Sequence, residues 1–119
     1  MAEYIIYFNQ QWVGDHSGEW FRSRGPLAMA VVHKMEQAGV LIYAGGLAEE
    51  VEEAFSADAT SGALTFTDGP YGETREYLGG LTIVNVASRD DAKTWAGRIA
   101  EACGWPQEVR RLKSRPGAD

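Results

Sequence analysis

The order of strand-like and helical patterns is the feature that most limits what this chain can fold into. Runs of β-branched and aromatic residues indicate strands, and apolar residues spaced three and four apart indicate helices. The predicted order is strand 4–8, helix 26–38, strand 40–44, strand 81–86, a helix between Ser88 and Gly104, and strand 108–112. Two β–α–β units of this kind predict an α+β, ferredoxin-like domain, with one antiparallel sheet and both helices on one face.

The two predicted helices have recognisable ends. Because proline fits only the first turn of a helix well, the first helix is expected to begin at Pro26, with residues 19–24 as a lead-in turn or short helix. Ser88 is a good N-cap for the second helix, and Asp91 stands in the capping-box position. Gly104 is expected to end this second helix.

The middle of the chain is acidic and rich in glycine. Residues 47–62 contain five carboxylates and no Lys or Arg, and the acidic run at 49–53 is interpreted as a solvated loop. A short strand is predicted around Phe55 and a turn at residues 60–62. Residues 63–67 alternate between apolar and polar side chains, as in a half-exposed strand. Residues 68–80 are expected to form a long loop before the next strand.

The predicted sheet would have one uncovered face. A single layer of helices covers only one face, yet residues 4–8 are apolar or aromatic throughout, as in a strand that is buried on both faces. The Tyr and Phe side chains of this strand are expected on the open face. A second copy of the chain is the simplest cover, so we expect a homodimer.

Length and composition exclude several classes of protein. A chain of 119 residues, 45% hydrophobic and 24% charged, suits one globular domain, predicted over residues 1–113 with a frayed tail at 114–119. No apolar run is long enough to span a membrane, and the net charge of −6 argues against nucleic-acid binding. The single cysteine, Cys103, cannot form an internal disulfide, and no signal segment opens the chain, so we expect a cytoplasmic location.

The loop at residues 68–80 carries the most specific signal in the sequence. It reads Asp-Gly-Pro-Tyr-Gly-Glu-Thr-Arg-Glu-Tyr-Leu-Gly-Gly. This run resembles the signature of the YCII-related family, in the branch named for an Asp-Gly-Pro-Phe motif. Tyr71 stands where the Phe is usual, and Arg75 where Lys is usual. The resemblance covers nearly the whole chain and implies a dimeric α+β barrel.

One position limits what the resemblance implies about activity. Some YCII-like relatives are suspected to be enzymes because a histidine on the first helix and an acidic residue line a pocket, and some members of the branch are encoded beside extracytoplasmic-function sigma factors. The family's histidine position falls near Ala28 in this sequence. His33 lies about 140° further around the helix axis, on the face that carries Lys34 and Gln37, and is interpreted as a surface residue.

The charged residues of the loop are the first candidates for chemistry. Asp68 and Glu73 could act as catalytic acid or base, and the planar guanidinium of Arg75 could bind an anion. A structural interpretation stands beside this one. Asp68 suits a tight turn before glycine and proline, and Glu73 and Glu76 could pair with Arg75 at the surface. Long loops in compact domains are more often functional than not, which keeps the first interpretation open.

Four further residues are candidates for ligand binding or proton transfer. Tyr71 and Tyr77 could stack on a small planar ligand, or they could only anchor the loop. Asp15 and His16 form the only adjacent Asp–His pair in the chain, and a histidine exchanges protons near neutral pH. If the loop after the first strand folds over the sheet, His16 could replace the missing helix histidine, with Asp15 binding the ligand. The alternative is an incidental loop histidine.

Neither a metal nor a cofactor is expected. The two histidines and the cysteine are far apart in the sequence, and the glycines do not form a GxGxxG pattern. The predicted function is therefore that of a homodimer with a pocket for a small polar or aromatic molecule, with cofactor-free acid–base catalysis, such as isomerisation or elimination, as its reaction class. The alternative is a non-catalytic regulatory or interaction module, linked to sigma-factor regulation.

Overall fold

The computed structural model describes residues 1–48, 50–72 and 74–114. Glu49, Glu73 and residues 115–119, which include most of the predicted frayed tail, lie outside the described residues. The strands are β1 (Ala2–Asn9), β2 (Leu41–Gly46), β3 (Phe55–Asp58), β4 (Thr65–Asp68), β5 (Leu78–Val86) and β6 (Glu108–Arg111). The helices are α1 (Gly18–Gln37) and α2 (Arg89–Cys103), and short 3-10 turns lie at Gln10–Trp12 and Val51–Glu53.

Four of the strands form one antiparallel sheet in the order β2-β5-β1-β6. Its central pair, β1 and β5, aligns Tyr4 with Val84 and Ile5 with Ile83. Tyr4 and Val84 belong to one buried cluster with residues of both helices, including Met35. Both helices therefore cover the same face of the sheet, which confirms the predicted α+β, ferredoxin-like fold. Within the described ranges, neither helix combines the length and the apolarity that crossing a membrane requires.

Helix α1 begins at Gly18, so the prediction that Pro26 starts this helix is wrong. Ser17 caps it, because the Ser17 hydroxyl accepts a hydrogen bond from the N–H of Trp20 at 3.1 Å. A proline inside a helix lacks an N–H and crowds the Cβ of the residue before it. That residue is Gly25, which has no Cβ, and both positions are exposed. The helix can therefore run through the proline.

Helix α2 confirms the ends that its sequence predicts. The Ser88 hydroxyl accepts a hydrogen bond from the N–H of Asp91 at 3.1 Å. Gly104 follows the last helical residue with φ of +80°, a left-handed conformation that glycine adopts without strain. A Cβ at this position would also lie 2.6 Å from the ring of Trp20 in α1. Glycine is thus required both by the backbone turn and by the close approach of the two helices.

Strand β5 already includes Gly79 and Gly80, so the loop predicted over residues 68–80 is shorter than expected. A Cβ on Gly79 would lie 2.6 Å from the ring of Phe8, and a Cβ on Gly80 would lie 2.8 Å from it. The two glycines make room for this ring, which packs against Trp105 with the centroids 5.0 Å apart. Trp105 packs against the core beneath the helices, and Tyr4 belongs to that core. The prediction that the Tyr and Phe side chains of strand one lie on the open face is therefore wrong for Tyr4 and Phe8.

The other side of the sheet, here called the open face, carries no helix in the described part of the chain. It is formed by alternate side chains of the three strands β1, β2 and β5, which include Ile5, Tyr7, Tyr43, Leu81 and Ile83. These side chains are half-buried or exposed. Burial alternates along β1, so the prediction of a strand buried on both faces is wrong for the single protomer.

Strands β3 and β4 form a separate two-stranded hairpin, here called the hairpin arm (residues 55–68). Its turn lies at residues 60–62, as predicted, and the Asp58 carboxylate accepts hydrogen bonds from the N–H and the hydroxyl of Thr60 at 2.8 and 2.7 Å. These hydrogen bonds hold the pKa of Asp58 below its usual value. The protomer measures 47 × 46 × 18 Å, and its radius of gyration of 16.5 Å exceeds that of a compact chain of this length, which is about 13.5 Å.

A pair of glycine substitutions tests the helix packing. We expect Gly104→Ala to lower the free energy of unfolding by about 2 kcal/mol or more, because the left-handed backbone and the ring of Trp20 both oppose a Cβ. Gly97 lies inside α2 with open space around its Cα, so Gly97→Ala should raise the free energy of unfolding by about 0.5–1 kcal/mol. Urea unfolding of both variants measures the difference, and equal effects would contradict the described contact.

Candidate functional site

A cleft lies at the end of the sheet where β2 runs into the acidic middle segment. Its volume is about 420 Å³. One wall is formed by residues 47–48 and 50–54, and the other by residues 70, 74 and 76–78 of the loop predicted over residues 68–80, here called the motif loop. Its lining residues are Gln10, Leu47, Ala48, Glu50, Val51, Glu53, Ala54, Pro70, Thr74, Glu76, Tyr77 and Leu78.

The lining of the cleft is apolar with an acidic rim. Leu47, Val51 and Leu78 contribute aliphatic surface, and the charged groups are the carboxylates of three glutamates, Glu50, Glu53 and Glu76. Within the described part of the chain, no Lys or Arg lines the cleft. Such a lining favours a molecule with an apolar body and either a positive charge or hydrogen-bond donors at one end.

Backbone hydrogen bonds attach the motif loop to the sheet at its C-terminal end. The N–H of Gln10 donates to the carbonyl of Tyr77 at 2.7 Å. The N–H of Tyr77 donates to the side-chain oxygen of Gln11 at 3.0 Å. The N–H of Leu47 donates to the carbonyl of Gly79 at 2.9 Å, which continues the contact between β2 and β5 one residue beyond Gly46.

The other end of the loop is attached to the root of the hairpin arm. The N–H of Gly69 donates to the carbonyl of Ala54 at 2.6 Å. Gly69 has φ of +92°, a conformation that glycine tolerates and other residues rarely adopt. Pro70 then begins the loop wall of the cleft. The Asp-Gly-Pro part of the motif therefore acts as a turn that joins the hairpin arm to the cleft.

Glu76 is held in place by a tryptophan. The indole N–H of Trp12 donates to the Glu76 carboxylate at 2.5 Å, and the rings of Trp12 and Tyr7 lie 6.2 Å apart. This contact engages one carboxylate oxygen, Oε2. A carboxylate fixed in this way presents its remaining acceptor capacity in a defined direction.

Tyr7, whose ring contacts that of Trp12, lies on the open face. The Tyr7 hydroxyl donates to the Glu108 carboxylate at 2.5 Å. This hydrogen bond raises the pKa of Tyr7, with smaller contributions from desolvation and from the charge of Glu108, while the guanidinium of Arg110 acts in the opposite direction. Tyr7 is therefore held as a neutral hydrogen-bond donor on the open face.

The structure brings only some of the predicted site residues to the cleft. Tyr77 lines it, whereas Tyr71 and Arg75 are exposed and lie outside the described lining. Asp68 is exposed at the end of β4, with its Cα paired to that of Phe55 in the hairpin arm. Glu73 lies outside the described residues.

Asp15 and His16 lie on the helix side of the molecule. The His16 ring stacks on Trp20 with the centroids 3.6 Å apart and an interplanar angle of 10°. Arg24 lies over the same indole, 4.8 Å from its centroid. Asp15 is exposed. The observed contact of His16 is thus an aromatic stack that fastens the loop after β1 to helix α1.

Other sequence interpretations can be compared with the structure. His33 is exposed, which confirms its interpretation as a surface residue. Cys103 is buried, as predicted, and burial is the main cause that raises the pKa of its thiol. Among the described residues, no three His, Cys, Asp or Glu side chains lie close enough together to hold a metal ion.

The sequence pattern does not predict several of the lining residues. Glu50 and Glu53 belong to the acidic middle segment, which is interpreted from sequence as a solvated loop. Glu76 is interpreted there as a surface partner of Arg75, whereas its observed partner is Trp12. The one sequence signal for Glu50 and Glu53 is the run of carboxylates without a nearby Lys or Arg. This run indicates a concentration of negative charge, but it does not predict a cleft.

Comparison with known proteins identifies the family. A sequence model of the YCII-related domain matches residues 22–104, which include most of α1, the hairpin arm, the motif loop and α2. A comparison with curated proteins gave no match. The matched segment is well over half of the chain, and the chain therefore belongs to the YCII-related family.

Proposed function

We propose that this protein is a homodimer that binds a small molecule in the cleft between the acidic segment that follows β2 and the motif loop. The ligand has an aromatic or aliphatic body and a cationic or hydrogen-bond-donating end. The observation that carries this proposal is the Glu76 carboxylate, which Trp12 orients among the three carboxylates of a cleft that also has aliphatic lining. A few fixed polar groups on an apolar lining are typical of small-molecule sites.

The acidic rim selects the charge of the ligand. Three carboxylates without a described cationic neighbour in the lining repel an anion and attract a cation. The side-chain oxygen and amide of Gln10 and the hydroxyl of Thr74 add neutral hydrogen-bonding groups. This lining favours the polar or aromatic ligand expected from the sequence. It disfavours the anionic ligand that Arg75 was predicted to bind.

The open face supports the proposed homodimer. Ile5, Leu81 and Ile83 lie side by side at the centre of the sheet and are only half-buried, while Tyr43 is exposed at the edge. Contiguous apolar surface of this kind marks an interaction site in a soluble protein. Two such faces packed together would form the dimeric α+β barrel implied by the Asp-Gly-Pro-Phe resemblance, which we include in the proposal.

Binding is the function that the geometry supports, and catalysis stays a prediction. Acid–base turnover by Asp68, Glu73 or His16 requires these groups around one ligand. The described contacts put His16 against Trp20 on the helix side and Asp68 in the hairpin arm. The non-catalytic regulatory module predicted as an alternative is compatible with the same cleft, since a bound ligand can regulate a partner without being converted.

Two matched probes test the charge preference of the cleft. We expect benzylammonium to bind and benzoate, which has the same ring and the opposite charge, to bind much more weakly. Replacing the oriented carboxylate by Glu76→Gln should weaken benzylammonium binding about tenfold, because a charge-assisted hydrogen bond is lost. Ligand-observed NMR titration measures both affinities.

Glu52→Gln is the control for net charge in this titration. Glu52 lies in the same acidic turn as Glu53 but does not line the cleft, and it is exposed. This variant should bind benzylammonium as tightly as the wild type. Equal affinity of the two probes, or equal effects of the two substitutions, would contradict the proposed site.

A charge in the middle of the open face tests the dimer. We expect the wild type to elute with twice the mass of the chain in light scattering, and Ile83→Asp to elute as a monomer, because a buried unpaired carboxylate opposes association. Met29→Asp is the control, since Met29 is exposed on helix α1. Circular dichroism checks that both variants are folded, and a folded Ile83→Asp variant that remains dimeric would exclude the open face as the interface.

A further inference from the structure

Strand β6 forms one edge of the sheet, and no described strand pairs with its outer side. The N–H of Leu112 donates to the carbonyl of Glu3 in β1 at 2.9 Å. In an antiparallel pair, the N–H and C=O groups of successive residues point alternately toward the neighbouring strand and away from it. Those of Val109 and Arg111 therefore point outward. The edge offers backbone donors and acceptors to an added strand.

A groove runs along this edge on the helix side of the sheet, here called the edge groove. Its volume is about 360 Å³. Val109 is aligned with the buried Ile6, so its side chain faces the helices. The homodimer proposed above uses the other face of the sheet and leaves this groove accessible. The lining residues are Arg89, Lys93, Ala96, Gly97, Ala100, Gln107 and Val109.

The edge groove and the strand beside it carry positive charge. Arg89 and Lys93 are the charged residues of its described lining. Strand β6 adds the exposed Arg110 and Arg111, while its acidic residue, Glu108, is hydrogen-bonded to a tyrosine of the open face. The whole chain has a net charge of −6, but at physiological ionic strength an exposed charge acts over only about 8 Å. Local cations therefore decide which segment docks here, and they favour an acidic one.

The cations lie toward one end of the edge groove. Helix α2 begins beside the end of β5 that is aligned with Ala2, and β6 ends at Arg111, which is aligned with Tyr4. Arg89 and Arg111 therefore lie at the same end of the sheet. Gln107 precedes β6 and lies at the other end. A docked strand is thus expected to place an acidic residue at the first end.

Gly97 leaves room for a docked segment. A glycine inside a helix is less favourable than an alanine, and its advantage is the space that it leaves for another backbone. A Cβ at Gly97 would meet no atom within 4 Å, so no described contact within the protomer requires a glycine here. Gly97 is exposed and lines the edge groove. A strand beside β6 would direct alternate side chains into this space.

The β6 strand of a second copy is a poor occupant of this edge. Two such strands related by a two-fold axis would pair antiparallel and bring the arginines of one strand beside those of the other. Like charges across a strand pair are destabilising, and charged side chains on edge strands prevent unwanted pairing of this kind. The same arginines attract a segment of opposite charge.

We propose that the outer edge of β6 binds an extended acidic peptide segment of a partner protein by strand addition. The outward backbone groups of Val109 and Arg111 pair with the segment. Small apolar side chains of the segment lie over Gly97, and an acidic side chain lies beside Arg89 and Lys93. This inference depends neither on the homodimer nor on the cleft proposed above.

Three matched peptides test the charge preference and the strand pairing. The first, Gly-Glu-Glu-Val-Glu-Val-Glu-Glu-Gly with blocked ends, places both valines and the outermost glutamates on one face of an extended chain. The second has Lys for every Glu, and the third has Pro for both Val, which removes N–H groups that strand pairing needs. We expect the first to bind at least about tenfold more tightly than the others in NMR titration at physiological salt. Equal affinities, or no binding of the first peptide, would overturn the proposal.

Amide hydrogen exchange locates the bound peptide on the edge. At saturation, the first peptide should slow the exchange of the Val109 and Arg111 amides at least about tenfold, because their N–H groups become hydrogen-bonded. The Arg110 amide, which points toward β1, should change less. Binding without this protection would exclude strand addition. Protection in the free protein that increases with protein concentration would show that a second copy covers the edge, and would also overturn the proposal.

Filling the edge groove tests its part in binding. Gly97→Leu should weaken binding of the first peptide at least about tenfold, because the new side chain occupies the space over the helix. Leucine favours a helix more than glycine does and meets open space here, so this variant should be no less stable than the wild type. Thr94→Leu, at an exposed position of α2 outside the lining, is the control and should bind as the wild type does.

A second pair of variants tests the cations of the groove. Lys93→Gln should weaken binding of the first peptide several-fold, because a charge beside the docked glutamate is lost. Arg98→Gln makes the same change in net charge on the same helix, but Arg98 lies over the ring of Trp95 and does not line the groove. This control should leave the affinity unchanged. Equal effects of Lys93→Gln and Arg98→Gln would contradict the assigned groove.

Discussion

The uncovered face of the four-stranded sheet is the constraint on which the rest of the structure depends. Two helices bury Tyr4, Ile6 and Val84 on one face, and the alternation of side chains then leaves Ile5 and Ile83 on the other. A sheet with apolar residues on both faces needs two covers, and the described chain supplies one. The proposed homodimer provides the second cover from an identical surface, which a two-fold axis allows.

The glycines of the motif loop determine how the cleft is joined to the sheet. Gly79 and Gly80 allow the ring of Phe8 to pack against the sheet, and Gly69 turns the chain from the hairpin arm into the loop. The motif therefore has a structural role before it has a role in binding. Its turn and its hydrogen bonds to the sheet position Tyr77 and Glu76 at the cleft, so the ligand-binding proposal depends on backbone geometry as much as on the side chains of the motif.

Much of the fold could be predicted from local signals in the sequence. The cap at Ser88 and the turn at Gly104 are local interactions that one stretch of sequence contains in full. The start of α1 does not follow from Pro26 alone, because the effect of this proline depends on Gly25, whose lack of a Cβ removes a clash. The local sequence pattern places Gly79 and Gly80 in the loop, because the contact that requires them is with Phe8, which is distant in sequence.

The candidate site was harder to predict than the fold for the same physical reason. Tyr77 can be predicted because it lies in a specific motif, whereas Glu50 and Glu53 reach the cleft only through the packing of a segment without a motif. The partner of Glu76 is Trp12, which lies far away in the sequence, and neither residue type predicts the other. Contacts between distant segments, rather than residue identity, decide which carboxylates form the rim.

Hydroxyl-radical footprinting of two tyrosines tests the central claim, that a second copy covers the open face. Tyr43 on this face and Tyr71 on the motif loop are almost equally exposed in the protomer, at 55% and 57%. The proposed dimer predicts that Tyr43 is oxidised several-fold more slowly than Tyr71 at concentrations where the dimer forms, and that dilution removes the difference. Equal oxidation of the two residues at every concentration would contradict the account.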